Sequence, residues 1–255
     1  MFSLKDKTAV ITGASGGIGL STTKRFIEAG AKVFIGDIKD STELANNLGC
    51  TWVKTDVSNE ESVKNLMEKA SEDHGKIDIL VNNAGIVLPN KNIANADVNE
   101  YKRALDINLM GVVYGMKYGQ RHMNTGGAIV NNSSLAGIIG FAGYGAYCTS
   151  KAAVVEITRV AAIELADQNI RVNCICPATV NTSMAYAKGN ELELKLAEAT
   201  LPQRRLCEPE EIAALIHFLS SDDCKFLSGQ AINVDGGYTA GIAMPIIENM
   251  LGDAE

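Results

Sequence analysis

The stretch Thr8-Ala9-Val10-Ile11-Thr12-Gly13-Ala14-Ser15-Gly16-Gly17-Ile18-Gly19-Leu20 decides how the rest of the chain is read. Its first five residues are β-branched or small, a composition that suits a buried strand, and a helical pattern opens at Leu20. The glycines between let the backbone turn sharply and approach a phosphate closely, and the charge of that phosphate is met by the helix N-terminus. A Gly-rich turn alone is weak evidence for a nucleotide. The strand before it and the helix after it favour dinucleotide binding, with Gly13, Ser15, Gly16, Gly17, Ile18 and Gly19 as candidate contacts.

Outward from this stretch, short β-branched runs recur at 32–36, 77–81, 128–131 and 171–175. They alternate with amphipathic segments such as 59–73 and 149–167. Strand-helix alternation predicts an α/β fold: a doubly wound, Rossmann-type parallel sheet with helices on both faces and ligands outside the carboxyl ends of its strands. A chain of 255 residues, 46% hydrophobic, suits one domain over 1–255. No linker, low-complexity tract or further repeat interrupts it. Residues 183–200, between Pro177 and Pro202, lack a strand pattern and are expected to form a helical insertion acting as a substrate lid. The tail Ile246–Leu251 is apolar enough to dock on something.

Composition narrows the partners. A formal net charge of -7 disfavours nucleic acid and anionic membrane surfaces, leaving a small-molecule substrate as the expected partner. No apolar stretch approaches the roughly 18 residues of a membrane span, and Ala9-Val10-Ile11 is too short for a signal-peptide core. Six cysteines without a C-x-x-C pair read as reduced thiols of a cytoplasmic protein. Cys174 and Cys176 share one strand face and suit packing better than metal binding. The three histidines are dispersed, so no metal site is expected.

Asp37 lies 18 residues beyond Gly19, at the end of the second strand run, where a carboxylate can accept hydrogen bonds from an adenosine ribose. The competing reading is a loop aspartate that serves the helix after Asp40. No cation stands in the glycine loop or directly after Asp37, which points to NAD rather than NADP.

With the later motifs added, the chain resembles the short-chain dehydrogenase/reductase family, over about 7–238. Thr12, Gly13, Gly17 and Gly19 meet the family's T-G-x-x-x-G-x-G. Asp56-Val57 looks like its adenine-contacting pair, and Asn82-Asn83-Ala84-Gly85 matches its N-N-A-G. Asn108 corresponds to the catalytic asparagine, Ser134 stands 13 residues before Tyr147, and Tyr147-Cys-Thr-Ser-Lys151 is Y-x-x-x-K. Where the family usually carries Pro-Gly, this chain has Pro177-Ala178. The resemblance counts Pro177 among the cofactor contacts and assigns Val180 and Thr182 to the nicotinamide carboxamide. It also implies a homotetramer, with helices around 97–123 and 149–167 packing across a two-fold axis.

These residue types suit the interconversion of a secondary alcohol and its ketone. Free tyrosine, with a pKa of about 10, is ionised only about one part in a thousand at pH 7. A lysine one helical turn later stabilises the tyrosinate. By resemblance Lys151 also holds the nicotinamide ribose, and Asn108 binds a water linking Lys151 to solvent. Ser134 is expected to donate to the substrate oxygen as charge develops. Tyr144 has Cys148 four residues on, not lysine, and is a pocket-wall candidate. Phe141, Met184 and Tyr186, with Ile138 and Ile139 as equally plausible core residues, suggest an apolar or alicyclic substrate. Two alternatives compete: an NADPH-dependent 3-oxoacyl reductase, which Asp37 disfavours, and a catalytically silent nucleotide-binding regulator, which has no need of the Asn108, Ser134, Tyr147 and Lys151 set.

Overall fold

Successive residues of the first strand point into two different apolar layers, and this alternation builds the architecture. The computed structural model describes residues 2–88, 91–187, 190–242 and 247. Its first half runs β1 (Thr8–Thr12), α1 (Gly17–Glu28), β2 (Lys32–Asp37), α2 (Thr42–Leu48), β3 (Thr51–Lys54), α3 (Glu60–His74) and β4 (Ile77–Asn82). Then come α4 (Val98–Leu105), a π-helical turn (Asp106–Met110), α5 (Gly111–His122), β5 (Met123–Asn132), α6 (Gly145–Glu164), β6 (Arg171–Pro177), α7 (Glu191–Thr200), α8 (Pro209–Ser220) and β7 (Ala231–Val234).

Ala9 and Ile11 of β1 join an apolar cluster with Phe26 of α1 and with Ile212, Ile216 and Leu219 of α8. Val10 joins the opposite cluster, with Leu66 of α3, Met116 of α5 and Val154 of α6. The sheet therefore carries helices on both faces, and each fully buried large side chain, such as Phe26 or Phe34, contributes about 1.5–3 kcal/mol.

All seven strands are parallel, in the order β3-β2-β1-β4-β5-β6-β7. The chain leaves β1 toward one edge and returns to β4 on its other side. That reversal opens a crevice at the carboxyl ends of β1 and β4. Thr12 ties the two ends together: its hydroxyl oxygen accepts from the backbone N–H groups of Asn83 at 3.0 Å and Ala84 at 3.2 Å.

The edge strands β3 and β7 span four residues each and lacked an apolar run that would announce them. β5 begins five residues before the run at 128–131. Its pairing with β4 shifts register between Ile77 and Ile79, and Gly126 adopts a positive φ of 87° inside it. The helix expected at 149–167 starts earlier, at Gly145, and gives way to a 3₁₀ turn at Ala166–Gln168. Among the described residues no helix is long and apolar enough to cross a membrane, and no group of His, Cys, Asp or Glu could hold a metal ion. All six cysteines are free thiols, with Cys174 and Cys176 buried together against Val155. The tail 246–251 lies outside the described residues, apart from Ile247.

Candidate active site

A cavity of about 740 Å³ occupies the crevice at the strand ends. Its floor is the glycine loop. Gly13 has a positive φ of 65°, and a Cβ there would lie 2.7 Å from the Cα of Ala84. A Cβ on Gly19 would stand 2.3 Å from the Gly13 carbonyl oxygen and 2.7 Å from Nδ2 of Asn83. Asn83 explains that closeness, since its amide donates to the carbonyls of Thr12 at 3.0 Å and Gly13 at 2.9 Å. Gly16, by contrast, faces open space. Gly13, Gly16, Gly17 and Ile18 line the cavity, whereas Gly19 and Ser15 stand behind it and hold the loop's shape.

Asp37, Asp56 and Val57 line one end of the cavity together with Ile38. One Asp37 oxygen accepts from the Ser15 backbone N–H at 3.0 Å and the other from the Lys39 N–H at 3.0 Å. The helix α2 is served instead by Asp40, which accepts from the Thr42 N–H at 2.9 Å and the Thr42 hydroxyl at 2.8 Å. Service to α2 therefore falls to Asp40, while Asp37 braces the glycine loop and the turn after β2 and lines the cavity. Arg103, which the motifs did not single out, also lines it.

Tyr147 and Lys151 follow each other by one turn at the start of α6, and both line the cavity with Ser134. Lys151 is buried. Its ammonium donates to the Asn132 carbonyl at 2.8 Å and lies 5.8 Å from the centre of the Tyr147 ring. Burial pushes its pKa down to about 8. Ser133 fixes the helix beneath, donating to the Lys151 carbonyl at 2.8 Å. Ser134 caps a 3₁₀ turn, its hydroxyl oxygen accepting from the Ala136 N–H at 3.1 Å.

Asn108 lies in the π-helical turn between α4 and α5, a distortion frequent at functional sites. Its side chain accepts from the Ile86 N–H at 2.8 Å and donates to the Ile86 carbonyl and the Ser150 hydroxyl, each at 3.0 Å. These three bonds fix the Asn108 side chain and anchor the segment after Gly85. A Cβ on Gly85 would stand 3.1 Å from Asn108 Oδ1 and 3.3 Å from the Lys151 ammonium, so the two side chains flank that glycine.

At the other end, Phe141, Tyr144 and Met184 line the cavity, as do Pro177, Val180 and Thr182 beside the glycine loop. A Cβ on Gly17 would touch the Thr182 methyl at 3.0 Å. Tyr186 is 60% exposed and does not line the cavity, and neither Ile138 nor Ile139 does. A turn at 182–185, closed by the Ala185 N–H donating to the Thr182 carbonyl at 3.0 Å, buries Ala185 and leaves Met184 43% exposed at the cavity's edge. α7 forms within the expected insertion, and Ala197 and Leu201 close the wall from that side. Residues 188 and 189 of that insertion lie outside the described residues. Tyr238 also lines this end, far from any motif in sequence.

Comparison with known proteins identifies the family. A family model described as enoyl-(acyl carrier protein) reductase matches residues 13–239. Cis-4-hydroxycyclohexanecarboxylate dehydrogenase of Sinomonas cyclohexanicum is 40% identical over 92% of this chain and 97% of its own. 3beta-hydroxysteroid dehydrogenase 2 of Eggerthella lenta is 37% identical over 93% of this chain and 96% of its own. The crystal structure of a short-chain type dehydrogenase/reductase from Mycobacterium marinum superposes with a TM-score of 0.87 at 32% identity, covering 94% of this chain and 98% of that one. The chain belongs to the short-chain dehydrogenase/reductase family and is an oxidoreductase of that family. The family implies a nicotinamide dinucleotide, NAD or NADP.

Proposed function

We propose that this protein is an NAD(H)-dependent dehydrogenase that interconverts a secondary alcohol and its ketone, on an apolar or alicyclic substrate. The observation that carries the reading is the buried, hydrogen-bonded Lys151 one turn beyond Tyr147, facing the same cavity as Ser134. The cavity suits a dinucleotide. Gly16 leaves open space where a pyrophosphate needs it, the start of α1 offers backbone donors, and Asp37 is available to a ribose at the far end. Gly13, Gly17, Ile18, Asp37, Asp56, Val57, Asn83, Ala84, Gly85, Pro177, Val180 and Thr182 are the residues that hold or shape its site.

When bound, the nicotinamide supplies the acceptor or donor of a hydride. The protein's own part is the proton. In alcohol oxidation the Tyr147 phenolate oxygen takes the hydroxyl proton; in ketone reduction the phenol returns it. The Lys151 cation favours the phenolate electrostatically, and its bond to the Asn132 carbonyl keeps it in place. Ser134 Oγ donates to the substrate oxygen while charge develops there.

Asp37 supports NAD, because a 2′-phosphate beside its carboxylate is repelled. The alicyclic reading draws support from Phe141, Tyr144, Met184 and Leu201 around the cavity, and from the relative whose substrate is a cyclohexane alcohol. We take the chain as a single domain whose 183–200 segment is a lid, and the protein as a cytoplasmic homotetramer. Exposed Val160 and Ile163 on α6 fit a subunit contact. The test is reduction of NAD and of NADP by cyclic and acyclic secondary alcohols. Turnover of cyclic alcohols with NAD is expected; no turnover with either cofactor points instead to a silent nucleotide-binding protein.

A further inference from the structure

Two aromatic rings separated by almost a hundred residues meet at the substrate end of the cavity. Phe141 precedes α6, Tyr238 follows β7, and their ring centres lie 6.3 Å apart at an interplanar angle of 43°. Both line the cavity. At that separation the rings touch each other, leaving no slot between them for a third ring. They form an end wall.

The turn bearing Tyr238 is fixed from three sides. The Asp235 carboxylate accepts from the backbone N–H groups of Gly237 and Thr239, each at 3.0 Å, and from the Thr239 hydroxyl. The Tyr238 N–H donates to the Asp235 carbonyl at 3.0 Å. Burial opposes ionisation of Asp235, yet the bonds from Thr239 and Gly237 together hold its pKa below the usual carboxylate range. The same turn rests on the segment that follows α7: a Cβ on Gly236 would meet Gln203 at 3.4 Å, and one on Gly237 would meet Pro202 at 3.6 Å.

We propose that Tyr238 is a specificity-determining residue: with Phe141 it sets the length of the substrate cavity, which then takes a single-ring alcohol or ketone and excludes fused-ring ones. The proposal rests on the dehydrogenase reading above. The dinucleotide takes part of the same cavity, so this wall bounds what is left for the substrate. The contact between the two residues is ring against ring, so Tyr238→Phe is expected to preserve it.

The test compares kcat/KM with NAD for cyclohexanol and for 2-decalol, a fused bicyclic secondary alcohol, in the unmodified protein and in Tyr238→Ala, Tyr238→Phe and Phe141→Ala. The unmodified protein and Tyr238→Phe are expected to favour cyclohexanol by at least about tenfold. Tyr238→Ala and Phe141→Ala narrow or reverse that ratio while the KM for NAD stays within about twofold. Tyr238→Phe keeps the wall even where the alanine variant folds poorly, and a changed ratio in it counts against the proposal. Efficient turnover of 2-decalol by the unmodified protein, or an unchanged ratio in a folded Tyr238→Ala, overturns the proposal and leaves the dehydrogenase reading intact. Failure to oxidise either alcohol with NAD or NADP removes both.

Discussion

The two ends of the cavity are built on different principles. The glycine-loop end is a close contact between backbones: Gly13 lies on Ala84, Gly19 lies on the Gly13 carbonyl, and Asn83 bonds both Thr12 and Gly13. The substrate end is a ring of side chains delivered by four separate parts of the chain, namely Phe141, Met184, Leu201 and Tyr238. Backbone shapes tolerate little change of residue, because no rotamer can relieve a clash. Side-chain walls tolerate exchange and so set preference more readily than they set chemistry. Between the two ends stand Tyr147 and Lys151, on a helix whose position belongs to neither.

The sharpest test of that middle ground is Tyr147→Phe, which keeps the ring and removes the proton-carrying oxygen. Turnover is expected to fall about 10²–10⁴-fold, or more, with NAD affinity little changed, whereas Tyr144→Phe spares most activity. Steady-state kinetics on the two variants check this; the reverse result unseats Tyr147 as the acid/base.

Cofactor choice tests the charged corner of the backbone-built end. A phosphate charge about 4 Å from Asp37 meets a repulsion of about 1–4 kcal/mol, which is roughly fivefold to a thousandfold in preference for NAD. Asp37→Ala is expected to lower kcat/KM with NAD and to narrow the gap to NADP. A native preference for NADP overturns the role given to Asp37.

A pair of glycine substitutions isolates the close contact itself. Gly19→Ala forces a Cβ against a backbone carbonyl and is expected to destabilise by about 1–3 kcal/mol, which is roughly 2–10 °C in Tm for a chain of this size. Gly16 adopts an extended φ of -166° with open space around it, so Gly16→Ala should leave Tm within about 2 °C. Thermal unfolding of both apoproteins settles the comparison; equal Tm values mean that the contact at Gly19 is not what shapes the loop.

The smallest effects belong to the side-chain wall. Met184→Ala is expected to change relative kcat/KM among cyclic alcohols by several-fold with little effect on NAD. Tyr186→Ala, at an exposed site outside the cavity, should change neither. A larger shift from Tyr186 than from Met184 places the wall elsewhere along the 183–200 segment.

How much was legible in the sequence follows the same division. The runs at 8–12, 32–36, 77–81, 128–131 and 171–175 each lie within observed strands, because a strand buried on both faces needs continuous apolar residues. The edge strands were quieter, being shorter and less buried. The glycine loop, Asp37 and the Tyr147–Lys151 spacing could be read because each is local: a turn, a strand end and one turn of helix. Asn108 was located by its motif, but its partners Ile86 and Ser150 stand 22 and 42 residues away, and no local pattern announces them. For Met184 and Tyr186 the sequence offered two neighbouring candidates and no way to separate inward from outward, since an irregular segment has no period from which to read its faces.

The sequence by itself determined the alternation of strands and helices, the glycine loop and the Tyr147–Lys151 spacing, because chain geometry imposes those spacings within a few residues. Only the tertiary structure decided which residues meet across the crevice. It brought Arg103 to the cavity, left Tyr186 outside it, and paired Phe141 with Tyr238 in its wall. Such contacts join segments whose separation is set by packing of the whole sheet and its helices, and sequence distance carries no record of that packing.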